Sequence, residues 1–420
     1  MPPLVRVAVE ADVPRITEII AGAFKLDEKP EKRRKQSELI RDGFSEFQVL
    51  EDGRDVVSAL RLGRDRLQIG QAVILKGELG HVGTDPALQG RGYATALMNG
   101  AIAFMLDKGF HCTRLGGLMH FYSRFGYEPF IRRYVEFPVR PEGIKGLSWD
   151  EMYGMSRELQ ARVRRFDALR DHEQVHALRR AFTLGRSGCP VIGDEAGPPP
   201  ADGAGDDGIE YVYEVDGRVQ GFMRGHVGPV GAGDPPSHNL DELVVSCDHP
   251  EAVAALVKTI IRLARRETPA TVTARLPYDE WVFEALTAGN IYFYLVEWRT
   301  VVDGNMMRVV DLQGLLSETA AELTARLQAA CAPQWNGCLE FRLPGARGRL
   351  RVEGQKVFGA PAASPDITLS VPHAGFLKWL FGISGFAEHP LYGDETIPLE
   401  ARRVTAALLP RTACCSGPWG

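Results

Sequence analysis

The alternation of apolar and polar positions predicts a mixed succession of strands and helices over the first 140 residues. A short apolar strand from Val5 leads to Asp12, a good helix N-cap, after which apolar residues recur at helical spacing. Alternating apolar residues on both sides of the Asp52-Gly53 turn signal predict a hairpin. The remaining predicted elements are strands at 67–69, 79–84 and 111–115 and a helix that buries positions from Ala94 to Met105.

The pattern changes after Arg140 and predicts two further units, as a chain of 420 residues is too long for one ordinary core. The second unit repeats the order of the first, with a hairpin at 211–224, a strand at 240–245, a helix at 251–266 and a strand at 271–276. The third has predicted strands at 339–343, 350–357 and 366–371 and a helix at 373–381. We therefore predict domains at 1–140, 141–300 and 301–420.

The candidate chemistry lies in residues 78–97, which read ELGHVGTDPALQGRGYATAL. A predicted strand turns at Asp85-Pro86 into a glycine-rich loop and then a helix. Free N–H groups at a helix N-terminus favour an anion, glycines let the backbone approach it, and Arg91 adds positive charge. The loop is therefore predicted to bind a phosphate. It has neither the Lys-Ser/Thr of a Walker loop nor the three glycines of a dinucleotide fingerprint.

The spacing of Gln89, Gly92 and Ala94 resembles the coenzyme A loop of the GCN5-related N-acetyltransferases, whose pattern is Gln/Arg-x-x-Gly-x-Gly/Ala. The resemblance implies acetyl-CoA as co-substrate, with pantetheine along the preceding strand and pyrophosphate on the loop amides. The cofactor-binding residues that it implies are Val82, Gly83, Thr84, Gln89, Gly90, Arg91, Gly92, Tyr93 and Ala94.

The stretch Phe121-Tyr122-x-x-Phe125-Gly126-Tyr127 resembles the last helix and turn of the same fold, where a tyrosine faces the thioester sulfur. The resemblance implies that Tyr122 is the general acid that protonates the leaving thiolate. The alternative is a half-buried core aromatic with a polar tip, the interpretation we prefer for Tyr127.

Composition excludes several classes of protein. The net charge of -5 and the lack of a clustered basic surface argue against nucleic acid. No basic segment followed by an apolar core opens the chain, and no apolar run approaches the length of a membrane span. Seven scattered cysteines form neither a disulfide framework nor a zinc spacing. We predict a cytoplasmic protein without a metal site.

The three units together resemble the enhanced intracellular survival family of acetyltransferases over the whole chain. The resemblance implies an α/β (α+β) fold class with tandem GCN5-related N-acetyltransferase folds and a C-terminal sterol-carrier-protein-like α/β domain. The stretches 366–370 and 376–382 carry the likeness of the third domain. The second copy is predicted to be degenerate, because its strand-to-helix junction at 246–250 has no glycine loop.

The same resemblance implies acetyl transfer to a primary amine of the aminoglycoside, polyamine or lysine type, by direct attack in a ternary complex. It also implies a homo-oligomer, in this family a hexamer, whose C-terminal carboxylate reaches the active site as the base. The matching group here is the α-carboxylate of Gly420. Relatives often end on an aromatic residue, whereas here the aromatic Trp419 lies one position in from the end.

Four further residues are weaker candidates. Asp27 and Glu28 lie where family members shape the substrate mouth, and either carboxylate suits a cationic amine. His81 is expected to line the mouth or act as a base, although a lone histidine is more often structural. Cys112 allows a ping-pong route through an acyl-cysteine, but a buried cysteine in a strand is the preferred interpretation.

Two other functions fit the sequence. In the first, the protein is an apolar-ligand-binding module, with Phe376 to Phe381 lining a cavity in the third domain and acetyl-CoA binding serving regulation. The same residues also suit the buried face of a helix. In the second, the enzyme transfers a different acyl group, which the sequence does not distinguish.

Overall fold

The computed structural model describes residues 3–197, 208–228, 237–265, 270–299 and 302–414, apart from the side chain of Asp27. They form two seven-stranded sheets and one four-stranded sheet with helices packed on them. The strands are β1 (Leu4–Val7), β2 (Phe47–Asp52), β3 (Asp55–Ile69), β4 (Ala72–Thr84), β5 (Cys112–Leu118), β6 (Glu128–Pro129), β7 (Arg132–Val139), β8 (Val163–Arg165), β9 (Gly208–Val215), β10 (Arg218–Gly228), β11 (Ser237–Val245), β12 (Ala270–Ala274), β13 (Tyr294–Trp298), β14 (Asp303–Val309), β15 (Gly337–Leu343), β16 (Ala346–Glu353), β17 (Lys356–Gly359) and β18 (Ile367–Ser370).

The helices in the same residues are α1 (Val13–Ala23), α2 (Pro30–Asp42), α3 (Tyr93–Asp107), α4 (Met119–Tyr122), α5 (Trp149–Tyr153), α6 (Arg157–Arg162), α7 (Ala168–Thr183), α8 (Glu251–Leu263), α9 (Glu280–Ala288), α10 (Leu312–Ala329), α11 (His373–Leu380) and α12 (Leu399–Leu408). Among these described helices, none has the length and apolar character required to cross a membrane.

The first sheet has the strand order β1-β2-β3-β4-β5-β14-β6. Alternate residues of β2 and β3 enter different cores: Val49 packs beneath α1, whereas Leu50 packs beneath α3. The neighbours β4 and β5 run parallel, and they pair only between Lys76–Leu79 and Cys112–Leu115. Beyond Leu79 the two strands separate, which opens a gap at one end of the sheet.

The central hairpin is longer than the alternation predicts. The second strand of the hairpin predicted at Asp52-Gly53, residues 56–62, and the predicted strand at 67–69 are both parts of the single strand β3, and β4 pairs along nearly all of it. The charged stretch between the two predicted strands stays in the sheet because Lys76, only 1% exposed, forms ion pairs with Asp65 and Glu78 at 2.9 Å each. A polar sequence therefore stays paired where its charges are neutralised across the strands.

The second sheet, in the order β13-β7-β12-β11-β10-β9-β8, repeats the plan of the first. Its strands β11 and β12 are parallel neighbours joined through α8, as β4 and β5 are joined through α3. The pairing of β10 with β11 also shifts register at Arg224/Gly225, as the pairing of β3 with β4 shifts between Ala59 and Arg61. The chain thus contains tandem folds of one architecture.

Both predicted boundaries between domains lie beside strands that join the neighbouring sheet. The strand β7, which ends one residue before Arg140, pairs with β12 and β13 of the second sheet. The strand β14, which begins just after residue 300, lies between β5 and β6 of the first sheet. Alternation predicts where a strand runs but does not specify which sheet it joins, so this exchange has no signal in the sequence.

The third unit has the sheet order β17-β16-β15-β18 with α10, α11 and α12. Its apolar core is continuous with the turn end of the β3–β4 hairpin, where Leu67, Ile69 and Ile74 contribute. At that turn the carboxylate of Glu322 on α10 accepts the N–H of Gln71 at 3.0 Å. The third unit is therefore anchored to the end of the hairpin opposite the gap.

Candidate active site

A cleft of about 730 Å³ opens where β4 and β5 separate. Its walls are the second half of β4, the glycine loop with the start of α3, the end of β5, and α4. Of the residues predicted to contact the cofactor, those that line it are Val82, Gly83, Thr84, Gln89, Gly90, Gly92, Tyr93 and Ala94. His81 and Tyr122 line the same cleft, whereas Arg91 is exposed and lies outside the lining.

The glycine loop presents free amides to this cleft. Gly90 and Gly92 have φ of +81° and +82°, a conformation that favours glycine, and Gly92 is the N-cap of α3. The first bond of the helix runs from the N–H of Ala96 to the carbonyl of Gly92 at 3.0 Å. The N–H groups of the three preceding residues therefore have no acceptor within the helix, and with the helix dipole they favour an anion.

Two contacts hold the loop in place. Asp85 caps the turn at its start by accepting the N–H of Ala87 at 2.9 Å, and it forms an ion pair with Arg15 of α1. The Arg15 guanidinium holds the pKa of Asp85 below its ordinary value. At the other end, the hydroxyl of Tyr93 donates to Asp52 Oδ2 at 2.5 Å, and this bond raises the tyrosine's pKa. Tyr93 therefore anchors the helix start with its side chain.

A bulge in β4 turns His81 towards the cleft. Gly80 pairs with Arg61 and Gly83 with Ala59, so His81 and Val82 together face one residue of β3. His81 has φ of +51°, a strained conformation for a residue with a side chain. The bulge interrupts the regular ladder at the point where the strand borders the cleft.

The imidazole of His81 is neutral and half-buried. Its ring centroid lies 6.3 Å from those of Phe24 and Phe47, and its buried Nδ1 has no hydrogen-bond partner among the described residues. Burial lowers its pKa, and the nearby Arg61 guanidinium lowers it further. A neutral imidazole that lines a cleft can accept a proton there through its other ring nitrogen, Nε2, since Nδ1 is buried away from the cleft.

Tyr122 stands in the opposite wall, at the end of α4. Burial raises its pKa to about 12, so the phenol is protonated at neutral pH. A Cβ at Gly117 would lie 2.4 Å from Cε2 of the Tyr122 ring, so the ring occupies space that only glycine leaves free. Tyr127 is fully buried and its hydroxyl donates to Thr113 Oγ1 at 3.3 Å, which makes it a core residue.

The other candidates lie elsewhere or outside the described residues. Glu28 is exposed on the turn Leu26–Glu28 and is not part of the cleft lining. Cys112 is fully buried in the core beneath the third unit, and burial raises its pKa to about 12. It does not line the cleft, so it has no access to a thioester there. The side chain of Asp27 and the whole of Gly420 lie outside what the structure describes.

An ion-pair network at the base of the cleft was not predicted from the sequence. Arg114 of β5 forms an ion pair with Glu78 of β4, which also binds Lys76. The Arg114 Nε–H donates to Asn305 Oδ1 at 2.6 Å. Together these groups join β4, β5 and β14 where the two parallel strands begin to separate. The only trace of this network in the sequence is a series of charged residues within apolar strands, and that pattern is equally typical of a solvated face.

Gly116 and Gly117 also line the cleft and were not predicted. Neither resembles part of a binding loop, and the role of Gly117 becomes visible only from the position of Tyr122. Among the described residues, no group of three or more His, Cys, Asp and Glu side chains is placed to hold a metal ion.

Residues 5–130 match a family model described as an acetyltransferase (GNAT) domain. Several solved structures match over almost the whole of both chains, among them the following three. A GCN5-related N-acetyltransferase from Anabaena variabilis is 14% identical, covers 97% of this chain and 98% of its own, and gives a TM-score of 0.66. A probable N-acyltransferase from Enterococcus faecalis is 13% identical over 99% of both chains, with a TM-score of 0.68.

The third structure, Eis1 from Mycobacterium abscessus, is 17% identical over 99% of both chains, with a TM-score of 0.58. At these identities the likeness concerns the fold. No curated protein sequence matches the chain. The family model places a GNAT acetyltransferase domain around the cleft, so the chain carries the domain of an acyl-transferring enzyme.

Proposed function

We propose that this chain transfers the acetyl group of acetyl-CoA to a primary amine by direct attack in a ternary complex. One observation carries the proposal: four features line the same cleft of the GNAT domain. They are a loop with free backbone amides, a strand with a bulge, a neutral histidine and a protonated tyrosine. An anion site and two proton-transfer groups are what this reaction requires of the protein.

The residues of the cleft fit acetyl-CoA. Amides from Gln89 to Ala94 would hold the pyrophosphate, since they lead into the N-terminus of α3 at Tyr93 and no side chain blocks the approach at Gly90 or Gly92. Backbone groups of Val82 to Thr84 border the gap where β5 no longer pairs with β4, so they are the groups available to pantetheine. Arg91, exposed at the rim, adds a positive charge near the loop.

In the reaction, the neutral amine nitrogen bonds to the thioester carbonyl carbon and the carbon–sulfur bond breaks. The amine loses one proton and the sulfur gains one. We assign the second proton to the Tyr122 hydroxyl. A phenol with a pKa of about 12 donates to a thiolate effectively in this position, because the burial that disfavors the phenolate also disfavors the thiolate anion.

We assign the first proton to His81 or to the α-carboxylate of Gly420. His81 is supported by its place in the cleft wall and by its lowered pKa, which keeps the imidazole neutral. Gly420 is supported by resemblance to the enhanced intracellular survival family alone. Holding the amine and the thioester together in one cleft supplies most of the rate enhancement. Either base therefore adds a smaller contribution to the rate.

The same family resemblance, with the shared fold of Eis1, underlies the finer proposals. They are an acceptor of the aminoglycoside, polyamine or lysine type, a hexamer, and a sterol-carrier-like third domain. A cytoplasmic location is proposed separately, from the sequence composition. We also propose that the three units are separate domains with different roles. The strand β7 is assigned to the second unit and β14 to the first unit. Asp27 and Glu28 remain proposed contacts for a cationic acceptor.

The apolar-ligand alternative receives less support. Phe376, Leu377, Trp379, Leu380 and Phe381 are all at most 2% exposed and belong to the core of the third unit. Buried side chains that pack against each other and against β15 favour the role of a helix face over that of a cavity wall.

The test is thiol release from acetyl-CoA with a panel of aminoglycosides, polyamines and lysine peptides. Three proteins are compared: the full chain, a Tyr122→Phe variant and a chain lacking residues 418–420. We expect turnover in the full chain and a loss of about 100-fold or more in Tyr122→Phe, the usual contribution of a general acid. Collapse of the truncated chain assigns the base to Gly420, and full turnover in it assigns the base to His81. Full turnover in Tyr122→Phe would remove the tyrosine from the mechanism.

A further inference from the structure

A second groove, of about 580 Å³, lies in the second unit and is lined by arginines. Its walls are α7, the segment 189–192, the start of β7, parts of β10 and β11, and the residues that follow β12. We call it the arginine groove. The five guanidinium groups in its lining belong to Arg132, Arg133, Arg179, Arg224 and Arg275. The acidic residues in the same lining are Asp241 and Glu242.

Both acidic residues already have partners. Glu242 binds Arg179 through two parallel bonds of 2.6 and 2.8 Å and binds Arg224 at 2.7 Å. Burial raises the pKa of Glu242, but the two arginines outweigh burial and hold it below its ordinary value. Asp241 pairs with His226 at 2.5 Å. The two carboxylates therefore fix part of the groove and leave its positive charge in excess.

Two of the arginines have no acidic partner. Within the described residues, no carboxylate lies within 4.0 Å of Arg132 or Arg275, whereas Arg133 pairs with Glu297 at 3.1 Å. Arg132 begins β7 and Arg275 directly follows β12, and these neighbouring strands pair at Val135 and Ala274. Both guanidinium groups are thus brought to the same end of the sheet.

The groove does not repeat the coenzyme A cleft. Arg179 of α7 lies over the ring of Phe222 at 5.0 Å, whereas α8 packs at the adjacent Gly221, so α7 and α8 cover opposite faces of the sheet. At the N-terminus of α8, the Glu251 carboxylate pairs with His249 at 3.0 Å and occupies the position favoured by the helix dipole. The second unit therefore offers arginine side chains in place of free amides.

We propose that the arginine groove binds a small multivalent anion that carries phosphate or carboxylate groups. Guanidinium groups form paired, charge-assisted bonds with both kinds of oxyanion. The groove has the volume of a small-molecule site. Arg179 and Arg224 are held by Glu242 before any ligand arrives, which reduces the ordering that binding requires. The unpaired Arg132 and Arg275 supply the charge that the anion neutralises.

Calorimetric titration of the full chain with tripolyphosphate and, separately, with citrate tests the proposal at constant ionic strength. The test variant is Arg132→Gln/Arg275→Gln. The matched control is Arg157→Gln/Arg262→Gln, which removes two charges from exposed positions of the same unit that lie outside the groove. Each titration is repeated with saturating coenzyme A, because either probe can also occupy the glycine loop.

We expect one or both probes to bind with coenzyme A present, with a Kd at least about tenfold weaker in the groove variant and within about twofold of wild type in the control. Binding of tripolyphosphate alone identifies a phosphate ligand, and binding of citrate alone identifies a carboxylate ligand. The proposal is overturned if neither probe binds, if coenzyme A abolishes binding, or if both variants lose affinity equally. The control for folding is the thermal unfolding temperature of the groove variant. If it equals that of the wild type, any loss of affinity comes from the binding site itself.

Discussion

Replacing Gly117 by alanine tests whether the position of the Tyr122 ring controls the rate. The new Cβ would lie 2.4 Å from Cε2 of the ring, whereas ordinary van der Waals contact begins near 3.4 Å. The ring must therefore move by about 1 Å, and a displacement of this size in a catalytic group costs about 100-fold in rate. We expect kcat for acetyl transfer to fall by about 100-fold in Gly117→Ala.

The same substitution is expected to lower the free energy of unfolding by about 1 kcal/mol, the lower end of the cost of overpacking. The cost stays low because the ring borders the cleft and can move into open space. Thiol release gives kcat and KM, and urea denaturation gives the unfolding free energy. A stable protein with reduced kcat separates misplacement of Tyr122 from loss of the fold.

A double-mutant cycle supplies the control. In a Tyr122→Ala background the ring is gone, so Gly117→Ala is expected to cost nothing further in either unfolding free energy or residual kcat. The reasoning is refuted if Gly117→Ala alone keeps wild-type kcat. It is also refuted if the alanine costs the same stability with and without the ring.

Three further predictions concern the base, the buried cysteine and the loop. The amine must be neutral to attack, so kcat/KM of the wild type falls with decreasing pH below the pKa of the amine. If His81 is the base, kcat/KM falls more steeply below 6.5, since the pKa of His81 is lowered from that value, and His81→Gln removes this second ionisation from the pH profile while lowering kcat/KM about 100-fold. Cys112→Ala is expected to keep kcat within about twofold of wild type, because the thiol lies outside the cleft. A ping-pong initial-rate pattern in the wild type, together with an inactive Cys112→Ala variant, would contradict this. Asp85→Asn weakens both the cap and the ion pair with Arg15, so KM for acetyl-CoA is expected to rise by up to about tenfold, and an unchanged KM would show that the loop holds its shape without them.

The sequence predicted the residues that line the cleft better than it predicted the pairing of strands in the sheets. The loop from Gln89 to Ala94 is local, because its glycines, its preceding turn and its following helix are contiguous in the chain, and the structure places that loop in the cleft wall. The family match over residues 5–130 confirms the acetyltransferase prediction for the first unit. Local patterns of this kind require no knowledge of distant partners.

Features that depend on pairing between distant strands had no comparable signal. The bulge at His81 arises from the register of β4 against β3, and neither strand alone shows it. The single long strand β3 passes through a polar stretch because Lys76, eleven residues beyond Asp65, neutralises it. Similarly, that Arg132 and Arg275 find no carboxylate among the described residues is a property of the folded surroundings, since arginine-rich segments are usually solvated.

The place of β14 between β5 and β6 has a consequence for synthesis on the ribosome. The acetyltransferase sheet stays open along β5 until residues 303–309 emerge, roughly 170 residues after β6. At about 5–20 residues per second, this delay lasts roughly 10–30 s. The second sheet is incomplete for most of it as well, because its strands β12 and β13 emerge only just before β14. During that interval the nascent chain exposes an unpaired strand edge beside the candidate active site, where chaperone binding or mispairing with another nascent chain would decide the yield of folded protein.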